Sequence, residues 1–385
     1  MKSYFSNPGF FLIVIFLLGM GFYINGQEIT DSSNTLSILF IGDIMGHDEQ
    51  IRSAENRIDH TYDYEDVFRY IKPVISAADM AVANFEVTLA GKPYKGYPRF
   101  SSPASLATAC RKSGIEYLMT ANNHSADRGT QGIINTINRL DSLGISHTGT
   151  FVNRVSRDSL SPLIIRKKDL TLALLNYTFS TNGISVHQPV IVNMLEKEQV
   201  VHDINVARQK AANVIILFLH WGKEYDTIPS SYQTSLAKYF LSSGADIVIG
   251  SHPHVLQKMI LTTNNLIDKD NLVVYSLGNF VTNQRKPGTD GGAIVRLRLE
   301  RQGDRVKIVD AGYYLTWVYT PIMKYRKRFY ILPCSEYEYN PGFFTNSSDF
   351  IKMKNFIIRS RNLLETQNTN VPEIVFRDSL WVLKK

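Results

Sequence analysis

Eight side chains able to hold a cation or move a proton recur along this chain, each placed after an apolar run. Asp43 closes "ILFIGD", Glu86 closes "DMAVANFE", and Asn123 and His124 close "YLMTANNH". His220 ends "NVIILFLH", His252 and His254 follow "ADIVIGS", and Asn279 ends "VVYSLGN". Carboxylate, amide oxygen and imidazole are ligands for Zn, Mn, Fe, Ni or Mg rather than for soft, thiophilic ions. A bridging carboxylate among them would hold two ions about 3.5–4 Å apart, the arrangement of two-metal hydrolysis. No Cys-x-x-Cys occurs, so a thiolate zinc site is not expected. Cys110 and Cys334 are the only cysteines, and pairing would need a proximity that sequence does not show.

Taken singly, most of these residues have an ordinary explanation. An Asp after a strand commonly caps a helix, Asn-Asn-His reads as a turn, and a lone His can be a satisfied core residue. His252-Pro253-His254 resists a packing explanation, because two imidazoles flank a rigid proline. The shared position carries the argument: in layered α/β folds the carboxyl ends of strands line the crevice where ligands bind. His60, His147, His187 and His202 have no such context and read as surface or structural residues.

The elements that must position them alternate. Apolar strand patterns cover Ser37–Ile41, Met80–Ala83, Tyr117–Thr120, Leu172–Leu175, Val214–Leu219, Ile247–Ile249 and Leu272–Tyr275. Helical patterns cover Tyr64–Ala78, Ala104–Ser113, Gly132–Leu143, Glu196–Ala212 and Tyr232–Ser243. Gly114 and Gly144 act as helix stops. The alternation predicts an α/β fold with sheets buried by helices. Ala293–Leu299 and Arg305–Val309 read as an antiparallel hairpin closed near Gly303, and Phe350–Thr366 reads as a helix. No internal repeat or low-complexity segment is visible.

The chain has 385 residues, 44% hydrophobic and 20% charged, with a formal charge of +7 and one basic cluster, Lys324–Arg328. That balance suits an anionic substrate or envelope surface as well as an ordinary lysine-rich surface. No helix-turn-helix, zinc-finger or RNA-binding signature is present, so nucleic acid is not an expected partner. Met1-Lys2 and the apolar run 9–24 predict a signal peptide, cleaved near Gly26, or an uncleaved N-terminal anchor over residues 1–26. Residues 27–35 form a polar linker, 36–320 the main domain and 321–385 a C-terminal extension packing on it.

The ordered motifs resemble the CapA family, associated with bacterial poly-γ-glutamate capsule synthesis and itself similar to the calcineurin-like metallophosphoesterases. They are "GDIM" at 42–45, "ANFE" at 83–86, "YPRF" at 97–100, "ANNHSADRG" at 121–129, "HWGKEY" at 220–225, "GADIVIGSHPHVLQ" at 244–257 and "VVYSLGNFV" at 273–281. The resemblance implies a four-layer sandwich of two mixed β-sheets flanked by helices. It also implies one or two divalent ions, Mn, Zn, Fe or similar. Asp43 and His254 would ligate the first ion, Glu86 would bridge, and Asn123, His220 and His252 would hold the second. His124 would be the proton donor, oriented by Asp127. Asn122, Glu224, Tyr225 and Asn279 would line the substrate. Three residues depart from the phosphoesterase pattern. Met45 replaces a His, Glu86 replaces an Asp, and Ser251 stands where a His often precedes His-Pro-His. A weakened or reshaped first site is therefore expected, with His47 the nearest spare imidazole.

The implied function is an exported metal-dependent hydrolase, periplasmic or in the cell envelope, acting on an anionic polymer at an amide or phosphoester bond. Expected partners are that polymer, the capsule-synthesis machinery and, through an uncleaved N-terminus, the membrane. The alternative is a non-catalytic envelope factor that binds poly-γ-glutamate or another anionic polymer for synthesis or export.

Overall fold

The structure is a computed structural model that describes residues 35–264 and 269–384. The expected signal peptide or anchor, and all of the linker but Thr35, lie outside the described residues. Among those residues no helix is long and apolar enough to cross a membrane.

Two mixed sheets form the body. The first runs in the order Tyr330–Pro333, Arg305–Tyr319, Gly291–Gln302, Thr35–Ile44, Met80–Phe85, Tyr117–Met119, Ser146–Thr148, with Asn279–Val281 added beside the end of Thr35–Ile44. The second runs Met259–Asn264, Lys269–Val274, Ile247–Ser251, Val214–His220, Leu170–Thr178, Leu163–Lys167. Its four inner strands are mutually parallel, and both edge strands are antiparallel.

Strand periodicity builds the layers. Ile38 and Phe40, together with Leu172, Leu174, Ile216 and Phe218, fill one core between the sheets. The alternate residues Leu39 and Ile41 face an outer layer with Phe68, Leu106 and Leu140 from helices. In the second sheet Ala173, Leu175, Ile215 and Leu217 face Val200, Ile204, Leu236 and Phe240. A strand with apolar residues on both faces is one buried between two layers. The result is helices, sheet, sheet, helices, the expected four-layer sandwich.

Some details differ from the sequence reading. The single helix expected over Tyr64–Ala78 is two short ones, Glu65–Phe68 and Lys72–Ser76. Pro73 has no N–H to give Arg69 and its ring clashes with that carbonyl, so the helix must restart around it. The expected hairpin is longer, Gly291–Gln302 with Arg305–Tyr319, in register Gln302↔Arg305. The C-terminal segment is no appendage. Tyr330–Pro333 pairs with Thr316–Tyr319 as an edge strand, and Met353, Phe356, Ile357 and Leu364 of helix Ser347–Gln367 join the core between the sheets. Cys110 and Cys334 are both free and sit in different layers, the outer one and the inter-sheet core.

Phe40 and Phe218 meet edge-on across the sheet interface, with ring centroids 5.8 Å apart. Phe218→Ala removes one side of that contact. It should lower stability by about 3–5 kcal/mol, read as a lower urea midpoint with an unchanged m-value. An unchanged midpoint would show that the inter-sheet core is not packed as described.

Candidate metal centre

Register brings the polar residues to one edge of the sandwich. In the first sheet Asp43 lies beside Asn84 on one neighbour and Asn279 on the other. In the second, His220 lies beside Thr178 and Ser251. Gly42 makes the first juxtaposition possible: a Cβ there would sit 2.1 Å from the Gly278 carbonyl oxygen, which accepts the Asp43 N–H at 3.1 Å. Asn123 and His124 come from the loop after Tyr117–Met119, and His252 and His254 from the turn after Ile247–Ser251. Both turn histidines have left-handed backbone, φ 97° and 58°. For non-glycine residues that conformation costs on the order of 1–3 kcal/mol each and concentrates at functional sites. The Tyr225 N–H donates to the Pro253 carbonyl at 2.8 Å and helps to hold the turn.

Two groups with metal-ligand spacing share one residue. Asp43, Glu86 and His254 form the first, and Glu86, His220 and His252 the second; all five are buried. Glu86 Oε1 is the shared atom, 3.7 Å from both His220 Nε2 and His254 Nε2. His252 Nδ1 lies 3.1 Å and Asn123 Oδ1 2.9 Å from His220 Nε2, so the amide oxygen joins the second group. In the first group His254 Nδ1 stands 3.1 Å from Asp43 Oδ2.

One amide sets the carboxylates. Asn84 Nδ2 donates to Asp43 Oδ1 at 2.8 Å and to Glu86 Oε2 at 3.2 Å. Each carboxylate thus has one oxygen fixed by Asn84 and the other turned toward imidazole. Glu86 Oε1 and Asn84 Oδ1 are buried without a hydrogen-bond partner. An orphaned, fully buried carboxylate oxygen is costly, and a divalent cation among O and N donors would satisfy it. The electrostatics agree. Burial, then His252 and His254, holds His220 well below its usual range, and burial pushes His252 down to about 3. Both rings are therefore neutral near pH 7, the form that ligates metal. Burial, then the neighbouring charges of Asp43 and Glu224, raises the Glu86 carboxyl well above its ordinary value. A bound cation would offset that penalty and favour the ionised carboxylate. The residues present fit one or two divalent ions.

Beside the groups, His124 Nδ1 donates to Asp127 Oδ2 at 2.8 Å, and the same oxygen accepts the Phe100 N–H at 2.6 Å. That tautomer leaves Nε2 as the exchangeable ring atom. The Phe100 ring packs edge-on against His124, centroids 4.7 Å apart. Tyr225, 38% exposed, lies 6.3 Å from the His254 ring, with Lys286 Nζ 4.1 Å over its face. Glu224 is half-buried next to it, and Phe179, 41% exposed, stacks obliquely on His252 at 4.7 Å.

Other expected roles change. Asn122 is not presented to a substrate: its amide donates to Phe85 O and its Oδ1 accepts the His124 N–H, so it braces the loop. Asn279 is fully buried; its Oδ1 lies 3.0 Å from His254 Nδ1 while its Nδ2 donates to Thr289 O, so it orients that imidazole. Met45 packs in the apolar outer layer, so the first group holds Asp43, Glu86 and His254 with no imidazole from that position. His47 joins neither group; its Nδ1 sits 2.9 Å from Gln50 Oε1 and 3.2 Å from the Asn283 N–H. Asn84, Phe100 and Ser251 are positioning residues that the sequence reading did not assign. Asn84 carried a signal, since it lies two residues before Glu86 and shares its strand face.

Ser251 Oγ lies 2.9 Å from His220 Nδ1. With Nε2 given to a metal, Nδ1–H donates to that hydroxyl. Ser251→Ala should weaken the second-group affinity by about 10–100-fold in a Mn or Zn titration, with little change at the first. Equal affinity in the variant would remove Ser251 from the site.

The family model for the bacterial capsule synthesis protein PGA_cap matches residues 37–284. The capsule biosynthesis protein CapA of Bacillus anthracis is 29% identical over 283 residues, covering 70% of this chain and 66% of that protein. The PGA biosynthesis protein CapA of Bacillus subtilis is 26% identical over 303 residues, 75% of this chain and 76% of the relative. Among solved structures, the calcineurin-like phosphoesterase YfkN from Bacillus subtilis is similar, with a TM-score of 0.46 at 13% identity over 86% of this chain and 98% of that one. The family match spans well over half of the residues and takes in Asp43, Glu86, Asn123, His124, His220, His252, His254 and Asn279: the chain belongs to the bacterial capsule synthesis protein family PGA_cap.

Proposed function

We propose that this protein is an exported, divalent-metal-dependent hydrolase of capsule polymer metabolism, cutting an amide or phosphoester bond in an anionic polymer of the poly-γ-glutamate kind. One observation carries the reading: two buried ligand groups share Glu86, and a hydrogen-bonded His124–Asp127 pair stands beside them. A factor that only bound polymer would have no use for that pair. Divalent ions held there would polarise the scissile group and lower the pKa of the attacking water.

The chain's own residues do the rest. Asn84 fixes one oxygen of each carboxylate, and Ser251 and Asn279 fix the tautomers of His220 and His254. Asp127 holds the proton on His124 Nδ1, so Nε2 delivers its proton to the leaving amine or alkoxide when protonated. Phe100 keeps Asp127 and the ring in place from its N–H and its side chain. Tyr225, Lys286 and Phe179 are exposed beside the metal-group histidines, where an anionic chain would approach.

His124→Ala should retain metal and lose about 10²–10⁴-fold in turnover of γ-linked glutamate polymer or of a phosphodiester, whichever a substrate panel identifies. Metal-independent polymer binding, with no hydrolysis by the wild type on either substrate class, would instead support the non-catalytic envelope factor.

A further inference from the structure

The basic cluster Lys324–Arg328 takes no part in the metal centre. It belongs to a β-hairpin, Ile322–Met323 with Arg326–Lys327, that borders a cavity of about 400 Å³. That volume lies within the range of small-ligand pockets. Arg326 and Arg328 line it from one side. Each spends one nitrogen on a backbone carbonyl, Arg326 Nη1 on Glu55 O at 2.8 Å and Arg328 Nη1 on Ser53 O at 2.9 Å. A guanidinium has five N–H donors, so most of theirs remain. Arg326 Nη2 is buried without a hydrogen-bond partner, and so is the hydroxyl of Tyr64, another lining residue. Among the described residues neither arginine has a carboxylate partner. Two half-buried guanidinium groups with no carboxylate in ion-pair contact offer their remaining N–H donors to an anion.

The opposite wall is acidic. Asp63 and Asp66, both exposed, line the same cavity, as does Glu55. Asp63 Oδ1 accepts the Glu65 N–H at 2.8 Å, Asp66 pairs with Arg69, and Glu55 lies 3.1 Å from His60. A simple anion would meet this acidic wall, and a simple cation would meet the arginines. We propose that the cavity is a second ligand site for a zwitterionic α-amino-acid group, its carboxylate on Arg326 and Arg328 and its ammonium on Asp63 and Asp66.

Two sources offer that chemistry: a free amino acid, and the amino-terminal unit of a γ-linked glutamate chain, which carries both charges on one carbon. The second source rests on the proposed function. The cavity is linked to the metal centre's flank. Gln50 lines the cavity and holds the His47 N–H at 2.9 Å. Lys327, on the hairpin face opposite Arg326 and Arg328, donates to Asn283 Oδ1 at 2.8 Å, and the Asn283 N–H meets His47 Nδ1.

The test is calorimetric titration of the whole protein, with Mn and after metal stripping. The ligands are L- and D-glutamate, glutarate, a γ-glutamyl oligomer with a free amino end and its N-acetylated form. One saturable site is expected, with glutarate and the acetylated oligomer at least tenfold weaker than their amino counterparts. Binding of the free-ended oligomer without free glutamate names the chain end as the source. Arg328→Gln keeps a donor for Ser53 O, and Asp63→Asn keeps an acceptor for the Glu65 N–H. Each should cost at least tenfold, and Asp63→Asn should erase the preference over glutarate. Equal affinity for glutarate and glutamate, no saturable binding, or wild-type affinity in both variants would overturn the proposal. Stripped protein should bind equally well, so absent hydrolysis with intact binding would sink the hydrolase reading alone.

Discussion

Everything at the site depends on burying two carboxylates, Asp43 and Glu86, side by side at the end of a sheet. Like charges in a low-dielectric environment repel, and burial alone penalises each. Asn84 relieves part of the cost by donating to both, but Glu86 Oε1 remains without a hydrogen-bond donor. Three imidazoles surround that side, and those of His220 and His252 are kept neutral by burial. The cluster is incomplete as a hydrogen-bonded core and complete as a ligand set. That asymmetry separates it from a merely structural polar network.

The fold is arranged to make this cluster possible. Asp43, Glu86 and Asn123 come from the first sheet and its loops, His220, His252 and His254 from the second. Only the packing of Phe40 against Phe218, and of the core around them, brings the halves together. The left-handed histidines at 252 and 254 add local strain that the surrounding strands must over-determine. Rigid strand ends then hold the ligands, while the rings of Tyr225 and Phe179 stay exposed beside His254 and His252.

Much of this was legible in the sequence, for identifiable reasons. Unbroken apolar runs ending in Asp43, His220 and His252-Pro253-His254 revealed both the strands and the polar edge they share. Positions whose roles depend on register were not legible. Ser251 looked like a lost histidine, yet it lies beside His220 and orients it. Asn122 and Asn279 looked available for substrate, yet their amides are used inside the fold. That Met45 packs into the apolar outer layer was not legible either. The break before Pro73 was readable from the proline itself, whereas the edge strand Tyr330–Pro333 depended on a partner that no local pattern names.

Metal content tests the central claim most directly. Purified protein reconstituted with Mn or Zn and cleared of free ion should hold one or two equivalents by elemental analysis. Glu86→Gln, which neutralises the shared carboxylate, should hold markedly less. A wild-type protein that retains no divalent metal, or a Glu86→Gln variant that retains as much as wild type, would contradict the account.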